Sequence, residues 1–258
     1  MRLTVLGSGS CVAEQTHRAS SAYILETSNG KLLIDTGTGS LRNLVKAGFD
    51  VKDVDKVFST HRHPDHVSDL IPLIQDKVVR SFSEDESDLE VYGPEGHRDY
   101  VFDRMRYEMV DTPEVFQEKF GFDLKVNELQ AYNSFEKFSL EALEALHGPE
   151  SFSCLSLKFC FENKTIVFTG DTDFNPELVE FAGEADLLVT DCSRPSGVDV
   201  EGHMNVDECA ELAEKADVGK LVLSHLYPEA ESHDLKKQAS QKFEGEIVVA
   251  EDLLQIDV

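Results

Sequence analysis

Three histidines and one aspartate fall within six positions of the stretch VFSTHRHPDH, residues 57–66: His61, His63, Asp65 and His66. The chain has nine histidines in 258 residues, so a third of them gather at the end of one apolar run. In an extended segment side chains alternate with period two, so His61 and His63 point to the same side and can share one ion. Pro64 then turns the chain, and Asp65 and His66 are aimed elsewhere, toward a second ion. Neutral imidazole and carboxylate donors suit Zn²⁺, with Mn²⁺ or Fe as alternatives. Four more apolar runs stop just before a donor: His147, Asp171, Asp191 and His225. Strand ends along one sheet edge converge, so these side chains are expected to meet the histidine cluster. Two ions about 3.5–4 Å apart need a bridging ligand, a role that suits a carboxylate such as Asp171. His17, His97 and His233 stand alone and are read as satisfied polar residues, the commoner fate of a half-buried histidine.

These donors must be positioned by regular elements. LTVLG, SAYILET, KLLIDTG and DKVFST read as four successive strands bounded by Gly-rich turns. A helix is expected from Ser40 to Ala47, ending at Gly48, and another over HVSDLIPLI with Pro64 and Asp65 near its start. Residues 81–90, SFSEDESDLE, read as a solvated acidic loop. The second half repeats the style. DLEVYGP, FSLEALEALHG, SCLSLKFCF, KTIVFTGD, ADLLVTDCS, KLVLSHLYP and EIVVAED read as strands, and EGHRDYVFDRMRYEM as a helix. NVDECAELAEKA is an amphipathic helix capped by Asn205, with Val206, Cys209, Leu212 and Ala213 on one face. No tandem repeat or low-complexity linker is present, so residues 1–258 are expected to form one domain of two sheets flanked by helices.

Composition narrows the function. The net charge is −26, from 50 Asp and Glu against 24 Lys and Arg. Such a surface repels nucleic acid, whose binding depends on neutralising phosphates with Lys and Arg. It keeps copies of the chain apart in solution. A salt-rich habitat is the other reading of so much acid, but lysine outnumbers arginine. No run approaches 18 apolar residues, so no membrane span is expected, and MRLTVLGSGS does not read as a signal peptide. The five cysteines are odd in number and form no C-x-x-C pair, which disfavours a disulfide framework and points to a reducing cytoplasm.

At this point the residues resemble a family. LLIDTG (32–37) and THRHPDH (60–66), the H-x-H-x-D-H motif, resemble the metallo-β-lactamase superfamily. VYGPEGHRDYV, TGDT (169–172), GHMNVDECAELA and LSHLYP resemble its ribonuclease Z-like phosphodiesterases, in the same order along most of the chain. The resemblance implies an α/β fold, an αββα sandwich of two mixed sheets with helices outside and metals at one edge. It implies that His61, His63 and His147 hold one metal, that Asp65, His66 and His225 hold the other, and that Asp171 bridges. Asp35 would steady the histidine loop by hydrogen bonding. His203 falls where that group has a histidine touching the scissile phosphate, and Asp191 stands in the place of its supporting glutamate.

Ribonuclease Z enzymes that process tRNA carry a long arm, inserted in the common short form between the equivalents of His147 and Asp171. Here that interval is only GPESFSCLSLKFCFENKTIVFTG. With the charge of −26 this argues for a small phosphodiester or nucleotide over tRNA. The expected protein is a cytoplasmic dinuclear hydrolase with Asp65, Asp191 and His203 among its catalytic residues. Its partners would be a small phosphodiester substrate and, at most, a second copy of the chain. Rival readings are a lactone or thioester hydrolase of the same fold, or a ribonuclease Z without the arm.

Overall fold

A computed structural model describes residues 1–28, 30–82, 88–109, 123–149 and 152–258. Residues 83–87 of the expected acidic loop lie outside the described residues. By backbone contacts the chain divides into two compact units, residues 1–7, 19–129 and 253–257 in the first and 8–18, 130–252 and 258 in the second.

The first unit is built on a seven-stranded mixed sheet. Its spatial order is Gln255–Asp257, Arg2–Gly7, Ala22–Thr27, Gly30–Ile34, Val54–Phe58, Leu89–Gly93 and Leu124–Glu128. The pairings are antiparallel as far as Gly30–Ile34 and parallel beyond it. Register explains the core. Ile24, Leu33, Val57, Val91 and Val126 are successive Cα partners, so their side chains form one row across a single face. That row packs with Leu44 of helix Ser40–Lys46, with Leu70, Leu73 and Ile74 of helix Leu70–Arg80, and with Val101 and Met105 of helix His97–Glu108.

One expectation changes here. HVSDLIPLI is not one helix but parts of two, Pro64–Val67 and Leu70–Arg80. Pro72 has no N–H to give Ser68, and its ring would strike that carbonyl in a continuous helix. Placed in the first turn of the second helix it costs nothing, because N–H groups there have no helical partner anyway. Asp69, at the break, receives the backbone N–H of Gly39 and of Leu41 at 3.0 and 3.1 Å. Its own N–H donates to Thr36 O at 2.8 Å, so the break ties the histidine segment to the turn after strand Gly30–Ile34.

The second unit has its own seven-stranded mixed sheet. In space it runs Glu246–Val249, Lys220–Ser224, Leu187–Asp191, Thr165–Phe168, Leu155–Cys160, Ser139–Glu144 and Tyr132–Ser134. The pairings are parallel as far as Thr165–Phe168 and antiparallel beyond it. Ile247, Leu221, Leu188 and Val167 form the equivalent row and pack under Val206, Cys209, Ala210 and Ala213 of helix Val206–Lys215. That helix starts as expected. Asn205 Oδ1 accepts from the N–H of Asp207 and Glu208 at 2.9 and 3.1 Å, and Glu208 Oε2 accepts from the N–H of Asn205 at 2.9 Å. A reciprocal cap of this kind stabilises a helix by about 1 kcal/mol.

All five cysteines are free. No helix among the described residues is long and apolar enough to cross a membrane.

A close approach fixes where the histidine segment lies in the first unit. A Cβ added to Gly37 would stand 2.1 Å from Asp65 O and 2.7 Å from Ser20 C, both backbone atoms. The Gly37→Ala protein is therefore expected to lose about 1–3 kcal/mol of stability through overpacking. A thermal melt checks this, and an unchanged melting temperature would show that the helix at Asp65 yields freely.

Candidate metal centre

The donors of the first unit hang from the carboxyl ends of two neighbouring parallel strands. Ile34 and Phe58 are Cα partners, so Asp35 and the segment from Ser59 emerge side by side. Asp35 takes φ 55°, a left-handed conformation that costs energy for a residue with a side chain. The turn aims its carboxylate back at the histidine segment. Asp35 Oδ1 accepts from Thr60 N at 2.8 Å, and Oδ2 accepts from Thr60 Oγ1 at 2.9 Å and from His66 Nδ1 at 2.8 Å. Asp35, His61 and His66 are each at most 2% exposed.

This network fixes proton positions. A carboxylate only accepts, so His66 Nδ1 donates, and in the neutral ring Nε2 carries the lone pair. The Thr60 hydroxyl gives its one proton to Asp35, so its oxygen accepts from His61 Nδ1 at 3.1 Å, which leaves Nε2 of the neutral His61 ring as the lone-pair donor. His63 Nδ1 lies 3.1 Å from His61 Nε2. Two nitrogens bound tetrahedrally at about 2.0–2.1 Å from one ion would stand about 3.3 Å apart. Sequence reasoning missed Thr60, whose position next to His61 was its only local signal. His66 Nε2 lies 3.9 Å from Asp65 Oδ2.

The second unit arranges its donors by the same device. Asp191 and Ser224 are Cα partners in parallel strands, which places Asp191 beside His225. His225 takes φ 53°. Its Nδ1 donates to Asp191 Oδ1 at 3.1 Å, and its Nε2 lies 3.5 Å from Asp171 Oδ2. His147 Nδ1 donates to Gly202 O at 2.8 Å, and its Nε2 lies 3.9 Å from Asp171 Oδ2. Gly202 has φ 82°, and a Cβ there would stand 2.9 Å from His147 Nδ1, so the contact needs glycine. Asp171, Asp191, His203 and His225 each offer one donor atom within 4.8 Å of the others.

His203 completes this group. Its Nδ1 donates to Asp191 Oδ2 at 2.7 Å, so one buried carboxylate holds two histidines. Burial works against its charge, but the Asp191 hydrogen bond and the charges of Asp191 and Asp171 outweigh it and raise its pKa. The His203 ring lies parallel to that of His225 at 5.5 Å, and Tyr227 meets both at 5.7 and 5.6 Å.

The donor chemistry fits divalent metal. His61, His66, His147 and His225 each commit Nδ1 to an oxygen and present Nε2, the orientation that metal-binding histidines take from their supporting shell. His147 Nε2 and His225 Nε2 both face Asp171 Oδ2, at 3.9 and 3.5 Å, so imidazole and carboxylate donors converge as a divalent cation would need.

The lone histidines fare differently. His17 Nε2 pairs with Glu231 at 2.9 Å on the surface. His97 is not the satisfied polar residue expected. It is 0% exposed, and neither ring nitrogen hydrogen-bonds to any described residue. It packs as a neutral aromatic at 5.9 Å from Tyr100, and burial with Arg62 nearby pushes its pKa down to about 3.

Comparison with known proteins agrees with this chemistry. The family model described as Anti-Pycsar protein Apyc1 matches residues 1–247. The probable metallo-hydrolase YhfI of Bacillus subtilis is 29% identical over 97% of each chain. A ribonuclease Z of Haloferax volcanii is 27% identical over 100% of this chain and 95% of its own. The crystal structure of YhfI, a metallo-beta-lactamase fold protein, superposes with a TM-score of 0.83 at 26% identity over 99% of this chain and 98% of its own. The two mixed sheets with flanking helices are thus the fold that the motifs implied. The chain is a metallo-hydrolase of the metallo-β-lactamase superfamily, in its ribonuclease Z-like group, and it belongs to the family of the Anti-Pycsar protein Apyc1.

Proposed function

We propose that the chain is a dinuclear phosphodiesterase acting on a small phosphodiester or nucleotide rather than on tRNA. In this reading His61, His63 and His147 hold one divalent ion, and Asp65, His66 and His225 the other, with Asp171 shared. Zinc is the first choice, with Mn or Fe as alternatives. Bound ions of this kind supply a water of lowered pKa and neutralise charge on phosphoryl oxygens.

The observation that carries the phosphodiester reading is Asp191, which accepts from His203 at 2.7 Å and from His225 at 3.1 Å. It couples a histidine of the metal set to one outside it. With Nδ1 committed to Asp191, His203 has Nε2 for the substrate. A proton on Nε2 can pass to a leaving alkoxide or balance charge on the phosphate. Its raised pKa favours the protonated form. A lactone or thioester hydrolase has less use for such a group. Two features support a small substrate over tRNA. The net charge is −26, and the described residues between His147 and Asp171 form an antiparallel strand pair, Leu155–Cys160 with Thr165–Phe168.

Elemental analysis of protein prepared without chelator is expected to give close to two transition-metal ions per chain. His66→Ala should weaken mainly one of them. A value near zero, with no uptake of Zn²⁺ or Mn²⁺, would overturn the ligand assignment. The metal-loaded protein should hydrolyse bis-p-nitrophenyl phosphate or cyclic nucleotides faster than a lactone or a thioester. The reverse order, or efficient cleavage of a tRNA trailer, would overturn the substrate class.

A further inference from the structure

Arg194 stands out on an acidic chain. It follows the catalytic strand end by three residues, and its backbone is zipped to the His203 segment. Ser193 N donates to Met204 O at 3.0 Å, and Val206 N donates to Arg194 O at 3.0 Å. Its guanidinium lies on Tyr227, 4.2 Å from the ring centroid, and Tyr227 in turn meets the rings of His203 and His225. With Tyr227 4.2 Å from the guanidinium and 5.7 Å from the His203 ring, guanidinium and ring are less than about 10 Å apart.

The side chain is held but little used. Among the described residues it makes one hydrogen bond, from an Nη to Ser193 O at 3.1 Å. Its Nε forms one long ion pair, 3.7 Å to Glu229 Oε2, with a side chain that is 56% exposed and so weakly held. A guanidinium has five N–H donors in a planar fork shaped for phosphate. Stacking on an aromatic ring fixes the plane of that fork in advance, so less freedom is lost when an anion binds. Lysines and arginines number only 24 in this chain against 50 acidic residues, so general surface charge does not explain a cation kept at this place.

We propose that Arg194, pre-positioned on Tyr227, binds a second phosphate of the substrate, so that the chain prefers small phosphodiesters carrying another phosphate beside the scissile one. This rests on the phosphodiester reading above and narrows its substrate class. The residue sets specificity rather than taking part in bond breaking.

The test uses a matched pair of esters, thymidine 5′-(p-nitrophenyl phosphate) with and without a 3′-phosphate, on the full metal-loaded protein. In the wild type the 3′-phosphate should lower KM. In Arg194→Gln that advantage should shrink about 10-fold or more, the scale of a lost charge-assisted bidentate contact. Arg194→Lys should keep part of it, and raised salt should erode it in the wild type. Calorimetry with thymidine 3′,5′-bisphosphate and thymidine 5′-monophosphate gives a readout that needs no turnover. If both esters are turned over and the 3′-phosphate confers no advantage, or the advantage survives in Arg194→Gln, the proposal fails while the phosphodiester reading stands. If neither ester is cleaved but the bisphosphate binds more tightly to the wild type and not to Arg194→Gln, the anion site stands and the phosphodiester reading fails.

Discussion

Replacing His203 by alanine is expected to leave folding and metal content intact and to slow hydrolysis of a phosphodiester with a poor leaving group by about 10²–10⁴-fold, the usual scale of general acid catalysis. His203 is tied to the protein through Asp191 and sits just before the capped helix Val206–Lys215, so its removal takes no strand or cap with it. The loss should depend on the ester. A ribose alkoxide needs a proton to leave, whereas p-nitrophenolate does not, so the second substrate should lose less. Kinetics on two phosphodiesters of different leaving-group pKa, beside one lactone, measure this. Full activity on both phosphodiesters in the His203→Ala protein would make His203 a bystander and remove the mechanistic part of the reading. A loss that is equal on the two esters would assign His203 to phosphate contact alone.

The Asp191→Asn protein should be damaged further. Asn keeps the size of the side chain but replaces one acceptor oxygen by an NH₂ donor. Two histidine N–H groups now point at Asp191, so one of them would face a donor in the variant. Removing a carboxylate that orients a metal-binding histidine typically costs about 10–100-fold in metal affinity or activity. With His225 a metal ligand as proposed, that loss should appear at its ion and combine with the loss at His203. Competition with a chelator reads the first effect and turnover of the poor leaving-group ester reads the second. Because both histidines act through one carboxylate, adding His203→Ala to Asp191→Asn should cost much less than it costs in the wild type. Strict additivity would mean that Asp191 and His203 work independently, and the shared-carboxylate account would be wrong.

Much of this was written locally in the sequence. The apolar runs that became central strands could be read because rows such as Leu33, Val57 and Val91, or Val167, Leu188 and Leu221, are apolar on both neighbours as well. Helix Val206–Lys215 was legible down to its cap, since Asn205 and Glu208 carry the signal within three residues. Strands Leu124–Glu128, Tyr132–Ser134 and Gln255–Asp257 were not. They lie at sheet edges and several of their residues are exposed, so burial did not print an apolar pattern on them. The break before Leu70 was missed because an unbroken apolar spacing outweighed the single proline that forbids continuity.

For the site, the donor types and their local spacing could be read from the chain alone. Crowding His61, His63, Asp65 and His66 into six positions is a covalent fact, and it puts metal-binding donor types side by side. Which nitrogen His66, His147 and His225 present depends on the fold. Those choices belong to partners far away in the chain: Asp35 for His66, Gly202 O for His147 and Asp191 for His225. The same holds for Asp191, which the motifs paired with His203 alone, and for Arg194 on Tyr227. Strand register brings Asp191 level with Ser224, and so beside His225, across 34 residues of chain. No local pattern records that pairing, because it is set by the order in which parallel strands stack.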